Sequence, residues 1–102
     1  MYKWHVEDLK FQIGKLIQVY RLRRELSQFQ LGLELNISKD HVGRIERGLT
    51  NPTIENIVKL SNFLGIDILF LFTKLDAKEL QKIELEIDCL QKEFKNKNKR
   101  KS

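Results

Sequence analysis

The sequence predicts an all-α protein. One proline and five glycines among 102 residues leave few positions for the turns of a β-rich fold. Apolar residues recur at spacings of three and four along most of the chain, which is the period of one face of an α-helix. Serine, threonine or aspartate stands before several of these stretches, in the position of a helix N-cap. A chain of this length forms one domain with a modest core and at most one appendage.

The first helix is predicted over about residues 8–24. Leu9, Ile13 and Tyr20 recur on its apolar face at helical spacing. Gly14 lies inside this helix, where glycine costs about 1 kcal/mol relative to alanine. We therefore expect Gly14 to permit close packing against another backbone.

Two short helices around a tight corner are predicted within residues 26–48. Ser27 is placed to cap the first helix and Ser38 the second, and Asn36 can adopt the left-handed conformation that ends a helix. A short capped helix with a polar outer face, held across another helix, is the geometry that enters the major groove of DNA. The apolar residues that anchor the pair are Leu31, Leu35, Val42 and Ile45.

Two further helices are predicted to complete the core. After a loop at residues 49–52, Thr53 is an N-cap for a helix that ends at Gly65, a typical C-terminal signal. Asp67 then caps a last short helix through Phe72, whose bulky residues close the core. The residues that the longer helix turns inward are Ile57, Leu60, Phe63 and Leu64.

The segment 76–95 has a different character. It carries 4 Lys/Arg and 6 Asp/Glu, a net charge of −2, within a chain whose net charge is +5. Its apolar residues follow the a/d spacing of a coiled coil over about two heptads. We favour a helix that pairs with a second copy, because the core already closes at Phe72; the alternative is a helix that packs back on its own domain. The predicted dimerisation residues are Leu80, Ile83, Ile87, Leu90 and Phe94.

The chain is accordingly divided into a first domain, 1–74, a C-terminal helix, 75–95, and a basic flexible tail, 96–102. The positive net charge is compatible with binding to nucleic acid or to an acidic membrane. The apolar run 66–72 is too short to span a bilayer, and the charged N-terminus is unlike a signal peptide. We therefore expect no membrane partner. Cys89 is the single cysteine and can form no intrachain disulfide, so we expect a cytoplasmic protein.

An enzyme is the least favoured class. The two histidines and the single cysteine stand on separate predicted elements, and the sequence shows no clustered carboxylates in an apolar setting. The spacing of ligands that a zinc site needs is also missing. We therefore predict no catalytic residues, no metal and no cofactor.

Several short motifs together resemble the Cro and phage-repressor (Xre-type) helix-turn-helix family. The resemblance runs from about residue 13 to residue 70 in register without a gap. It implies a five-helix repressor-like domain, here with an additional C-terminal helix, whose third helix lies in the major groove. The motifs are Ile13-Gly14-Lys15, Leu26-Ser27-Gln28, Leu35-Asn36-Ile37-Ser38, Arg44-Ile45-Glu46-Arg47-Gly48, Asn51-Pro52-Thr53 and Leu64-Gly65-Ile66.

The resemblance also implies roles for individual residues. A structural ion pair would join Arg21 to Glu46 and fix the angle of the third helix. Arginine and lysine suit guanine O6 and N7, and aspartate can accept from cytosine N4. Gln28 would bridge a phosphate and the third helix or a base, and Lys15 would reach the flanking backbone. The other implied DNA-binding residues are the base readers Lys39, Asp40 and Arg44 and the backbone contacts Ser38, His41, Arg47, Thr50 and Asn51.

These observations favour a sequence-specific transcriptional regulator of double-stranded DNA. The expected form is a repressor that binds a palindromic operator as a homodimer and occludes a promoter. The alternative is a protein-interaction module, or an antitoxin-like protein with an unidentified protein partner. In that alternative the C-terminal helix makes the contact and DNA binding is secondary.

Overall fold

A computed structural model describes residues 3–101, and it describes the side chains of residues 3–97. This part of the chain contains helices and no strand, which confirms the predicted all-α class. The helices are α1 (Val6–Arg23), α2 (Gln28–Leu35), α3 (Lys39–Glu46), α4 (Ile54–Leu64), α5 (Ile68–Leu71) and α6 (Ala77–Lys101).

The helix ends follow local signals in the sequence. Each predicted N-cap side chain accepts a hydrogen bond from a backbone amide in the first turn of its helix. Asn36 and Gly65 adopt the left-handed conformation (φ 57° and 71°) that ends α2 and α4. In α2, Gln30 Oε1 also accepts a hydrogen bond from the backbone N–H of the N-cap Ser27, which completes a capping box. The confirmed N-caps are Ser27, Ser38, Thr53 and Asp67.

Two glycines allow helices to approach each other closely. A Cβ atom at Gly14 would lie 2.5 Å from the carbonyl oxygens of both Ile45 and Glu46, at the end of α3. A Cβ atom at Gly32 would lie 2.2 Å from the carbonyl oxygen of Ile37, in the corner between α2 and α3. The expected close packing at Gly14 is therefore present, and glycine is needed at both positions because the neighbouring atoms are backbone.

The main core lies where α1 crosses the other helices. It combines residues of α1 to α5 and the segment that follows α5. Partly buried Leu80 and Ile83 of α6 also pack against it. Its fully buried members include Ile17, Leu31, Leu60 and Leu71, and it also contains Ile13, Leu16, Ile37, Val42, Ile45, Ile57, Leu64, Ile66 and Leu75.

The apolar side of α6 packs on α1 of the same chain. Ile87 is 3% exposed and forms a second buried cluster with Val19 and Leu22, against which Leu90 and Phe94 also pack. This packing matches the alternative interpretation, a helix that packs back on its own domain, rather than the favoured pairing of Leu80, Ile83, Ile87, Leu90 and Phe94 with a second copy. The physical reason is that Val19 and Leu22 give α1 a second apolar side, which needs a cover that α2 to α5 do not provide.

An ion pair on the surface holds α6 to α1 as well. Arg23 donates from Nε and Nη2 to the two carboxylate oxygens of Glu86, at 2.7 and 2.8 Å. The hydrogen bonds that Arg23 donates lower the pKa of Glu86, and the same bonds raise the pKa of Arg23. Neither side chain is fully buried, so this pair adds a modest electrostatic contribution to the apolar contact.

The C-terminal helix continues to Lys101, beyond its predicted end at residue 95. The mobility predicted for the tail 96–102 stays a prediction, since Ser102 and the side chains from residue 98 onward lie outside the described residues. Within the described part of the chain, no helix has both the length and the apolar character needed to cross a membrane.

Candidate nucleic-acid interface

The helix α3 separates an apolar side from a polar one. Val42 and Ile45 are buried in the core, while Lys39, Asp40 and Arg44 are exposed to solvent. The N-cap Ser38 accepts the amide of residue 41 at 3.1 Å and fixes where the helix begins. The predicted base readers therefore lie on the outer side of a helix whose inner side is anchored.

A buried ion pair holds the C-terminal end of α3 against α1. Arg21 Nε lies 2.6 Å from Glu46 Oε2, and Arg21 Nη2 lies 3.0 Å from Glu46 Oε1. The side chains are 5% and 2% exposed. Arg21 Nη1 also donates to the carbonyl oxygen of Leu26, just before α2, at 2.7 Å. The guanidinium thus joins α1, the start of α2 and the end of α3, and it forms the ion pair that the resemblance implies.

The same carboxylate holds Gln28 in place. Gln28 Nε2 donates to Glu46 Oε1 at 3.0 Å, so the first residue of α2 is tied to the last turn of α3. Gly43 of α3 lies close to the side chains of both Gln28 and Arg47. A Cβ atom at Gly43 would be 3.1 Å from Arg47 Nη1 and 3.5 Å from Gln28 Oε1. The structure therefore gathers two predicted DNA-binding side chains, Gln28 and Arg47, over the one position of α3 that has no side chain.

The remaining residues that are predicted to contact the DNA backbone lie within α3 and in the loop before α4. His41 is half-buried, and its Nε2 lies 3.4 Å from Nδ2 of Asn56 in α4. Thr50 is half-buried and Asn51 is exposed, both in the loop before α4. Sequence reasoning missed the contact of Asn56 with His41, because no local pattern pairs residues on two different helices.

A short helix with an exposed polar face, capped by serine and braced across a second helix, defines the helix-turn-helix class of nucleic-acid-binding domains. A helix-turn-helix family model matches residues 17–71, more than half of the chain. The chain therefore belongs to the helix-turn-helix family, of the Xre type that its motifs resemble.

Curated relatives match over the same region. The chain is 39% identical over 61 residues to the HTH-type transcriptional regulator SlrR of Bacillus subtilis (strain 168), which is 59% of this chain and 40% of that protein. It is 32% identical over 56 residues to the immunity repressor protein of Bacillus phage phi105, which is 55% of this chain and 39% of that protein. The control protein C.BamHI of Bacillus amyloliquefaciens is 30% identical over 60 residues, 58% of this chain and 74% of its own length.

The chain thus spans only about two fifths of the first two of these relatives. No solved structure gives a significant match to it.

Proposed function

We propose that this protein is a sequence-specific regulator of transcription that binds double-stranded DNA and represses. The observation that carries the proposal is the exposed face of α3, with Lys39, Asp40 and Arg44 held in fixed orientation by the buried Arg21–Glu46 pair. A base-reading helix needs this rigidity, since hydrogen bonds to base edges depend on the angle at which the helix enters the groove.

Each side chain of the face has a role that its chemistry suits. Arg44 and Lys39 would donate to guanine, and Asp40 would accept from cytosine N4. Gln28 and Arg47, which meet over Gly43, would contact the adjacent phosphates and fix the register of α3 in the groove. The proposed contacts with the DNA backbone also include Ser38 at the N-cap of α3, His41 within α3, and Thr50 and Asn51 in the loop before α4.

We further propose that the regulator is a homodimer on a palindromic operator. Two recognition helices about 34 Å apart would then read half-sites one turn of DNA apart. Since α1 covers the apolar stripe of α6, we assign the contact instead to the α5 region, where Ile68, Leu69 and Phe72 are exposed, Leu69 by 72%. The names of two relatives, a transcriptional regulator and an immunity repressor, support the regulatory role. Occlusion of a promoter is the mechanism that we propose for it.

The alternative function, a protein-interaction module that uses α6, is less well supported. Its proposed contact stripe includes Ile87, which is buried against α1. A partner protein would have to displace α6 from its own domain to reach this stripe.

A selection from random duplex DNA tests the proposal most directly. We expect enrichment of a palindromic site, and we expect Arg44→Ala to weaken binding to that site by about 1–3 kcal/mol and to relax preference at one base position. Lys78→Ala is the matched control, because it removes the same charge from an exposed position on α6. No enrichment of any sequence would refute the proposed function. An equal loss on selected and random duplexes would show that Arg44 contacts only phosphate.

A further inference from the structure

A polar cleft of about 410 Å³ lies between α6 and the helix-turn-helix. Lys15, Gln28 and Arg47, all predicted to contact DNA, line one side of this cleft. Glu84 and Asp88 of α6 line the other side. The acidic flank of α6, defined as Glu84 and Asp88, therefore faces the same space as cationic and amide groups that are expected to bind phosphate.

The acidic flank carries charge that the rest of the domain does not neutralise. Glu84 and Asp88 are exposed, and within the described side chains neither forms an ion pair. Glu86, on the other side of the apolar stripe of α6, is instead paired with Arg23. The contact of Ile87 with α1 fixes the rotation of α6, so the acidic flank cannot turn away from the cleft.

We propose that the acidic flank of α6 limits the electrostatic affinity of this protein for DNA. This inference rests on the proposed function. Phosphate contacts supply essentially all of the non-specific affinity of a DNA-binding protein. Exposed charges interact over about one Debye length, about 8 Å at physiological salt. The carboxylates that line the same cleft as Lys15 and Arg47 repel phosphates at this cleft and compete with them for the two cations. The flank therefore restrains binding to random DNA and leaves the base readers of α3 untouched.

The test compares two double variants of the full chain that remove the same charge. Glu84→Gln with Asp88→Asn removes the acidic flank, and Glu79→Gln with Glu93→Gln removes two exposed carboxylates elsewhere on α6. Glu79 lines a groove with Arg23 and Tyr20, and Glu93 lines another with Glu25; neither carboxylate lines the cleft. The probe is a random-sequence DNA duplex, and the readout is the dissociation constant over a range of salt concentrations.

We expect the flank variant to bind the random duplex about threefold to tenfold more tightly than wild type at low salt, with the gain shrinking as salt screens the charges. The control variant should show a clearly smaller gain. An equal gain in affinity in both variants would show that only the net charge of the protein matters, and it would overturn the inference. No gain in affinity in either variant would also overturn it. If the wild-type protein binds no duplex at any salt concentration, the proposed function itself fails. If wild type binds and the flank variant does not differ from it, only the inference fails.

Discussion

Replacement of Glu46 by glutamine tests how α3 is held in place. Glu46 is 2% exposed and accepts three hydrogen bonds, two from Arg21 and one from Gln28. Glutamine retains one acceptor oxygen but places an NH₂ group where the second oxygen was. One donor of Arg21 would then face another donor. The buried guanidinium would keep the carbonyl oxygen of Leu26 and one neutral amide oxygen as partners, but no counter-charge.

The expected cost is about 3–5 kcal/mol, because removal of one partner leaves an uncompensated charge in the interior. The lost hydrogen bonds account for a similar loss in the free energy of unfolding, since each hydrogen bond to a charged group contributes about 1.5–3 kcal/mol. A domain of this size has a total stability of about 5–15 kcal/mol, so the substitution would consume a large share of it. Unfolding in urea, monitored by circular dichroism, should show a midpoint at least about 1 M lower, for a slope of about 1–3 kcal/mol per M.

The matched control is Glu55→Gln, which breaks an exposed 3.8 Å pair with Lys59 and should cost less than about 1 kcal/mol. A second variant, Arg21→Met with Glu46→Met, removes both charges and should be more stable than Glu46→Gln alone. A loss below about 1 kcal/mol for Glu46→Gln would show that the carboxylate does not hold a buried charge, and the bracing role of the pair would be refuted.

Other predictions test how α3 and α6 pack against α1. Ile87→Ala should destabilise the domain by about 2–5 kcal/mol in thermal unfolding, and a loss as small as that of exposed Leu85→Ala would mean that α6 is not part of the core. Gly14→Ala should cost about 1–3 kcal/mol despite its better helix propensity, because its Cβ would meet backbone oxygens at 2.5 Å; a gain in stability would refute this packing. The pKa of Glu86 is lowered in the folded state by Arg23, so its contribution to stability is present above the ordinary glutamate pKa and is lost as pH falls through the lowered value. Glu86→Gln should therefore cost up to about 1 kcal/mol at pH 7 and nothing in strong acid, and a cost that does not change with pH would count against the pair.

The local part of this structure could be predicted from the sequence, and the reason is physical. Caps at Ser27 and Ser38 and the left-handed turn at Asn36 depend on residues within one turn of the chain, so short patterns reveal them. The Arg21–Glu46 pair joins positions far apart in sequence, and only the family resemblance indicated it.

Contacts between helices were harder to predict. Gln12 is buried, and its side chain bonds the backbone of Leu71, Thr73 and Leu75 at 2.8–3.3 Å, which holds the segment after α5 against α1. No pattern distinguishes this glutamine from an exposed one before the segments are brought together. The apolar stripe of α6 was recognised correctly, but a stripe does not state what covers it.

The division of α3 into a buried side and an exposed polar side has an evolutionary consequence. Lys39, Asp40 and Arg44 make no contribution to the core, while the groups that fix the helix, Glu46 and the backbone beside Gly14, point away from solvent. If α3 reads base edges as proposed, substitutions on its outer face would change the preferred base sequence at almost no cost in folding free energy. Duplicated copies of such a gene could therefore diverge toward new operators one residue at a time, with each intermediate still folded.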